Sequence, residues 1–190
     1  MPKLSENELI DALQKGDEAA YRLLIHKYNS MIQNVIYKMV EDQDDTKDLS
    51  QEVWIRIWKS IGKFRRKSSL QTWIYRISIH SALNHIRKKQ RLRLVSFSHS
   101  DALESTTYAE SPIASGFDKM DQHDQAAIIR SALNRLTAKQ KAAFILSNAE
   151  GLSNAETAEV LETSVSAVES LLIRAKRKLK QELLNSYLSE

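Results

Sequence analysis

No cysteine occurs anywhere in the 190 residues, which excludes disulfide staples, thiolate metal sites and cysteine nucleophiles together. Glycine and proline are nearly as scarce, at four and two, so tight turns are few and long helices are favoured. The five histidines, His26, His80, His85, His99 and His123, show no HExxH or comparable ligand spacing. No metal and no cofactor is therefore expected. Paired carboxylates in a recognisable motif and a glycine-rich phosphate loop are also missing, and the chain does not read as an enzyme. A long apolar run is lacking too, and the opening MPKLSENELIDAL has neither the cationic start nor the apolar centre of a leader. A soluble cytoplasmic protein without direct membrane insertion is expected.

What the chain does have is patterned charge. Its 28 lysines and arginines against 24 acids give a net charge of only +4, but the cations are gathered. Arg56, Lys59, Lys63, Arg65, Arg66 and Lys67 form one cluster, and Arg87, Lys88, Lys89, Arg91 and Arg93 a second. A third lies in Arg174, Lys176, Arg177, Lys178 and Lys180. Such clusters neutralise phosphates and give salt-sensitive affinity without sequence information. In SSLQTWIYR, residues 68–76, Trp73 and Tyr75 follow the FRRK cluster directly. Rings beside cations suit unstacked bases on a tracked backbone. Trp73 also stands four residues before Ile77, a spacing that places it toward a core.

Helical periodicity organises the rest. Ser5 with Glu8 forms a capping box for a first helix burying Leu9, Ile10 and Leu13, and Gly16 stops it. Asp17 caps a second helix with the stripe Ala20, Leu23, Leu24, Tyr28, Met31, Ile32, Val35, Ile36 and Met39. A polar turn at 41–45 leads to a third helix through about Ser60, and a fourth runs from near Ser69 to Lys89. Residues 1–91 thus read as one helical domain. Residues 92–124, rich in Ser, Thr and acids, with Pro112 and Gly116, read as an extended, flexible linker.

Residues 125–188 read as a second domain. A helix to Arg135 precedes a capping box, Thr137 with Gln140, that opens a helix to about Asn148. Ser153 with Glu156 then starts a short helix over roughly 154–161. After a break at 162–164, a further helix starts either at Ser164 or at the Ser166/Glu169 pair, with the stripe Val168, Leu172, Ala175 and Leu179. Two helices joined by a tight turn, the second basic, are what a helix-turn-helix requires. The expected fold is all-α: two small helical domains on a flexible linker, the C-terminal one with a helix-turn-helix.

Three segments carry a family resemblance: DDTKDLSQEVWIRIWKSIGKF (44–64), SSLQTWIYRISIHSALNHIRKKQR (68–91) and AFILSNAEGLSNAETAEVLETSVSAVESLLIRAKRKLK (143–180). In content and order they resemble regions 2 and 4 of the extracytoplasmic-function (ECF) sigma factors, the smallest members of the sigma-70 family. The resemblance implies a non-catalytic factor that binds core RNA polymerase and directs initiation at promoter DNA through −10 and −35 elements. It further implies an anti-sigma factor as partner, which in some relatives is held at the membrane. Carried over by position, Asp48, Leu49, Gln51, Glu52, Trp54 and Ile55 fall on the polymerase-docking helix. Phe64, Arg65, Arg66, Ser68, Ser69 and Leu70 match the loop holding a flipped −10 base, and Thr72, Trp73, Arg76, His80, Asn84 and Arg87 follow on the next helix. The −35 set is Ser164, Ser166, Ala167, Ser170, Arg174, Lys176, Arg177 and Lys178.

This chain departs from the family pattern at several places. His80 and Asn84 stand where Asn and Asp are frequent, Glu162 where Gly is usual, and Glu169 and Leu171 where basic residues are frequent. The last pair removes phosphate contacts from the recognition helix. Two other functions fit parts of the sequence. A polymerase-independent helix-turn-helix regulator accounts for 125–188 but leaves SSLQTWIYR and the helix around Asp48–Ile55 without a role. A helical adaptor binding an acidic protein accounts for the charge alone.

Overall fold

The structure, a computed structural model, describes residues 5–97 and 122–188. Every regular element among them is helical. The first group contains α1 (Glu6–Gln14), α2 (Glu18–Val40), α3 (Gln43–Ser60), a 3-10 turn (Ile61–Lys63) and α4 (Leu70–Phe97). The second contains α5 (Gln122–Asn134), α6 (Ala138–Phe144), α7 (Asn154–Leu161) and α8 (Val165–Leu188).

Local chemistry sets the boundaries. Both halves of the capping box form at Ser5/Glu8, Thr137/Gln140 and Ser153/Glu156. Asp17 accepts from the amides of Ala19 and Ala20. The expected turn at 41–45 is shorter than read: Asp42 caps α3 and Asp44 and Asp45 already lie in its first turn, where the helix dipole favours acids. The start of α8 resolves to Ser164, whose hydroxyl accepts from the Ala167 amide at 3.2 Å. Helix α4 runs to Phe97 and α5 begins at Gln122, so the expected linker gives up residues at both ends to helix. Its remainder, 98–121, lies outside the described residues.

In the first domain α2, α3 and α4 pack on one another around Leu24, Ile32, Ile36, Val53, Ile57, Leu70, Ile74 and Ile79, with α1 closing one end. In the second, α8 lays Val168, Leu172, Ala175 and Leu179 against α5, α6 and α7, the stripe expected from the sequence. These apolar contacts form two small clusters, half of whose buried residues are alanines.

The two domains also meet each other. Helix α7 packs along α4, and α6 touches both α4 and α2. Ala142, Ile145, Leu146, Leu152 and Val160 join the core of the first domain. Leu146 and Val160 are fully buried. The physical reason lies in burial: a small helical unit cannot enclose all its apolar surface alone, and the second domain completes that enclosure against the first.

Candidate polymerase and nucleic-acid interfaces

On α3, residues 48, 51, 52 and 55 recur at helical spacing and share a face. Asp48, Gln51, Glu52 and Ile55 are all exposed there, Ile55 by 52%. Ile55 thus stands open to solvent between two exposed carboxylates. Leu49 points the other way and is buried in the core. Trp54 is half-buried; its indole donates to Asn29 Oδ1 at 3.0 Å, and its carbonyl accepts from the Tyr21 hydroxyl at 2.7 Å. The ring of Tyr21 meets Trp54 and Trp58 edge-on, with centroids 6.0 and 4.6 Å apart. Trp58, exposed by 43%, widens the apolar part of this surface, and Leu23 of α2 is exposed by 40%. Leu23 was expected in the apolar stripe of the second helix, and Trp58 follows Ile55 at the same-face spacing of three.

The turn before α4 is built from within. Phe64 is buried, tilts against Trp73 with centroids 5.1 Å apart, and accepts a hydrogen bond from Gln14 on its carbonyl at 2.8 Å. Arg66 adopts a left-handed backbone, φ 53°, and pairs with Asp11. Ser69 Oγ accepts from the Thr72 amide at 3.0 Å and meets Thr72 Oγ1 at 2.8 Å, while the Leu70 side chain is fully buried. Phe64, Leu70 and Thr72 therefore shape the loop from inside. Arg65, Arg66 and Lys67 are its exposed cations, and Ser69 is exposed beside them.

Along α4 the two rings diverge. Trp73 is half-buried, whereas Tyr75 is 2% exposed and donates its hydroxyl to Glu150 Oε2 at 2.7 Å. Burial first, and then the Glu150 hydrogen bond and charge, push the Tyr75 phenol above its usual range. Tyr75 is thus a buried link to the second domain rather than a platform for bases. Arg76 donates Nε to the Glu159 carbonyl at 2.9 Å, with the Glu159 carboxylate 3.9 Å from its guanidinium. His80 Nδ1 lies 3.9 Å from the Glu162 carboxylate. Asn84 and Arg87 continue the helix as exposed residues. Farther back, the Lys89 hydrogen bond holds the Asp45 carboxyl below its usual range, aided by His85 and opposed by burial.

In the helix-turn-helix, Glu162 ends α7 in the left-handed region, φ 51°, a conformation that favours glycine. Helix α8 then presents Ser166, Ser170, Arg174 and Arg177 opposite its buried stripe, with Lys176 and Lys178 flanking them, all exposed. Ala167 is half-buried, and Ser164 is held at the helix start by its cap and by Ser166 Oγ at 3.1 Å. Glu169 is exposed and Leu171 half-buried.

The residues that sequence reasoning missed lie between the domains. Glu150 accepts from Lys38 Nζ at 2.6 Å as well as from Tyr75, and its side chain is 10% exposed. Lys141, with a side chain 7% exposed, donates to Glu41 Oε1 at 2.5 Å and to Asn134 Oδ1 at 2.7 Å; Asn134 in turn donates to Glu41 Oε2 at 2.8 Å. Glu41, like Glu162, ends a helix in the left-handed region, φ 56°.

This architecture agrees with known proteins along nearly the whole chain. Residues 24–92 match the family model described as Sigma-70 region 2, and residues 126–179 the one described as Sigma-70, region 4. The RNA polymerase sigma-H factor of Pseudomonas aeruginosa is 29% identical over 180 residues, covering 94% of this chain and 93% of that one. The ECF RNA polymerase sigma-E factor of Escherichia coli K12 is 28% identical over 92% of each. Among solved structures, CnrH in complex with the cytosolic domain of CnrY shares the fold with a TM-score of 0.66 at 20% identity, over 95% of this chain and 97% of that one. The sigma factor RpoE of Bartonella quintana, in complex with the anti-sigma factor NepR, gives 0.62 at 24% identity, over 87% and 96%. With both regions present in order, each in its own helical domain, the chain belongs to the ECF group of the sigma-70 family, the non-catalytic factors that direct RNA polymerase to initiate transcription.

Proposed function

We propose that the α3 face of Asp48, Gln51, Glu52 and Ile55, flanked by Trp58, docks on core RNA polymerase, that the start of α4 takes the −10 element, and that α8 reads the −35 element. The observation that carries this reading is the exposed acidic and apolar α3 face, which no intramolecular packing requires. Leu49 and Trp54 support that face from below. At the −10 element, Arg65, Arg66 and Lys67 supply phosphate contacts and Ser68 and Ser69 line the loop. Phe64, Leu70 and Thr72 hold the loop's shape, and Trp73, Arg76, His80, Asn84 and Arg87 extend the surface along α4. At the −35 element, Ser166, Ser170 and Arg174 face the groove, with Arg174 suited to a phosphate or a guanine edge. Ser164 and Ala167 set the helix entry, and Lys176, Arg177 and Lys178 track the backbone.

An anti-sigma factor is part of the same proposal. Both solved structures named above hold a sigma-type chain with a second protein. The protein acts in the cytoplasm with its polymerase, and an anti-sigma factor anchored at the membrane would hold it there; among the described residues no helix is long and apolar enough to cross a membrane.

Run-off transcription with core polymerase, on a promoter found by selection, tests the reading. The Asp48→Lys/Glu52→Lys variant should lose core binding and transcripts while its circular dichroism spectrum stays helical. Unchanged core affinity in a pull-down with the fold intact would overturn the docking assignment.

A further inference from the structure

Two side chains of α8, Glu169 and Ile173, take no part in the seam where the domains meet, in the core of either domain or in the set assigned to DNA. Ile173 is 60% exposed, more than any other large apolar side chain described in the second domain. Glu169 is exposed as well, and has no hydrogen-bond or ion-pair partner among the described residues. Four residues apart, the two are neighbours on the helix surface. Ile173 shares the outward side of α8 with Ser166 and Ser170, and Glu169 borders it. Both lie in the first half of α8, the part of a recognition helix that meets base edges.

Ordinary helix chemistry explains neither residue. The helix dipole favours an acid in the first turn, but Glu169 is the fifth residue of α8. An acid also pairs with a cation three or four positions away, and those positions hold Val165, Ser166, Leu172 and Ile173. Against a polyanion the carboxylate is a loss as bulk charge, because it repels phosphates. It gains only against a donor, and the floor of the major groove offers one in the cytosine amino group. Adenine sets its N7 acceptor beside its amino group, which a carboxylate opposes. The match for an exposed isoleucine in that groove is the thymine methyl group. The neighbouring serines leave room for this reach. Ser170 donates its hydroxyl to the Ser166 carbonyl at 2.9 Å, and Ser166 Oγ lies 3.1 Å from Ser164 Oγ, so both short side chains are engaged on the helix itself.

We propose that Glu169 and Ile173 set the base preference of the −35 element: the Glu169 carboxylate accepts from a cytosine amino group, and the Ile173 side chain packs on a thymine methyl. The proposal rests on the assignment of α8 to that element and says which bases the helix prefers. Four residues advance a helix by about 6 Å and base pairs succeed one another by about 3.4 Å, so the cytosine and the thymine stand one or two base pairs apart. Glu169 also excludes guanine, whose N7 and O6 present acceptors alone. The carboxylate that weakens the grip on phosphates thereby sharpens the choice of sequence.

The test uses holoenzyme assembled from the full chain and core polymerase, selected on duplexes randomised across the −35 element. The parent should select a cytosine that Glu169→Gln exchanges for adenine, and Glu169→Arg for guanine, at the same position. The thymine one or two pairs away should lose its enrichment in Ile173→Ala. Replacing that thymine by deoxyuracil in the parent's selected duplex removes only the methyl group. It should weaken binding of the parent several-fold and of Ile173→Ala not at all. Both side chains are exposed, so the variants should keep the parent's circular dichroism spectrum and unfolding midpoint.

If both Glu169 variants keep the parent's preferred bases and merely bind every duplex more tightly, the carboxylate is bulk charge. If deoxyuracil weakens the parent and Ile173→Ala equally, or neither, the methyl contact does not exist. Either result overturns the proposal. Arg174→Ala tells this failure from that of the −35 assignment. Where it lowers affinity for the selected element while base preference ignores Glu169 and Ile173, the base assignment falls alone. Where no α8 variant alters selection or affinity, α8 is not the −35 reader and both fall.

Discussion

The two domains solve the same burial problem unequally. The first encloses large side chains from three long helices, among them Leu24, Ile32, Ile36, Ile57, Leu70, Ile74 and Ile79. The second keeps four alanines for itself with Leu136, Val168, Leu172 and Leu179, and places Ile145, Leu146, Leu152 and Val160 against its neighbour. Since buried area scales with side-chain size, the first domain carries its own stability and the second borrows part of its own. Their proposed nucleic-acid faces show the opposite order. The cations of α8 are open to solvent, and Arg76 of α4 is engaged by the other domain.

Truncating the seam should give the largest effect. Leu146→Ala removes a fully buried side chain from the shared core and should cost about 2–5 kcal/mol. Leu179→Ala, in a small cluster at the edge of the second domain, should cost less, because its surroundings can collapse or admit water. Chemical denaturation of both variants measures the difference, and equal losses would erase the asymmetry between the domains. A second effect concerns binding. Trp73→Ala should weaken open promoter complexes by roughly 1–3 kcal/mol if its ring stacks on a freed base. Thermal unfolding beside permanganate footprinting of the −10 thymines separates that role from its packing on Phe64. A destabilised fold with a normal footprint at permissive temperature would assign Trp73 to the core.

Third comes the contrast in charge. Arg174→Ala should lower duplex affinity of the free chain and reduce the magnitude of the log–log salt slope by about one. Arg76→Ala, whose guanidinium is already engaged by Glu159, should change both less. Fluorescence anisotropy over a salt series distinguishes them. The smallest expected effects are those of pH. The Tyr75 phenol is raised from its ordinary value of 10.0, so its contribution is full below that value and falls as pH climbs above it. The domain seam should loosen in alkali, and Tyr75→Phe should remove that dependence. Asp45 is lowered from 3.8, so its contribution is present above that pH and lost on further acidification. Asp45→Asn should flatten the acid limb slightly, as a partly exposed pair allows.

The elements of the fold were largely legible because their causes are local. Three capping boxes and the Val168, Leu172, Ala175, Leu179 stripe each lie within a few residues of sequence and appear in the structure as read. The misreading of Tyr75 had a readable remedy. It belongs with Ile79 and Ala82 at spacings of four and seven, an inward stripe, whereas Trp73 two residues earlier occupies a different side. The acids at 44 and 45 were likewise a first-turn signal taken for a turn. What could not be read was the seam. Glu41 meets a lysine 100 residues away and Lys38 a glutamate 112 away, and no local rule joins such pairs. The left-handed Glu41 had no such signal, whereas Glu162 was marked by standing where Gly is usual.

One backbone detail gives the seam an unusual sensitivity. Helix α6 does not end cleanly but continues as a π turn, Ile145–Ala149, in which the Glu150 amide bonds to the Ile145 carbonyl at 3.0 Å. A π turn holds one residue more than the regular helix would, and each residue of an α-helix turns the chain by roughly 100°. The direction in which Glu150 points is therefore a matter of phase, set by a backbone count upstream of it. Removing one residue from this turn would preserve every charge and every apolar side chain of the seam outside the turn itself, yet rotate the carboxylate away from Lys38 and Tyr75. The grip between the domains could thus be tuned by a three-nucleotide deletion, with the chemistry of both surfaces left as it was.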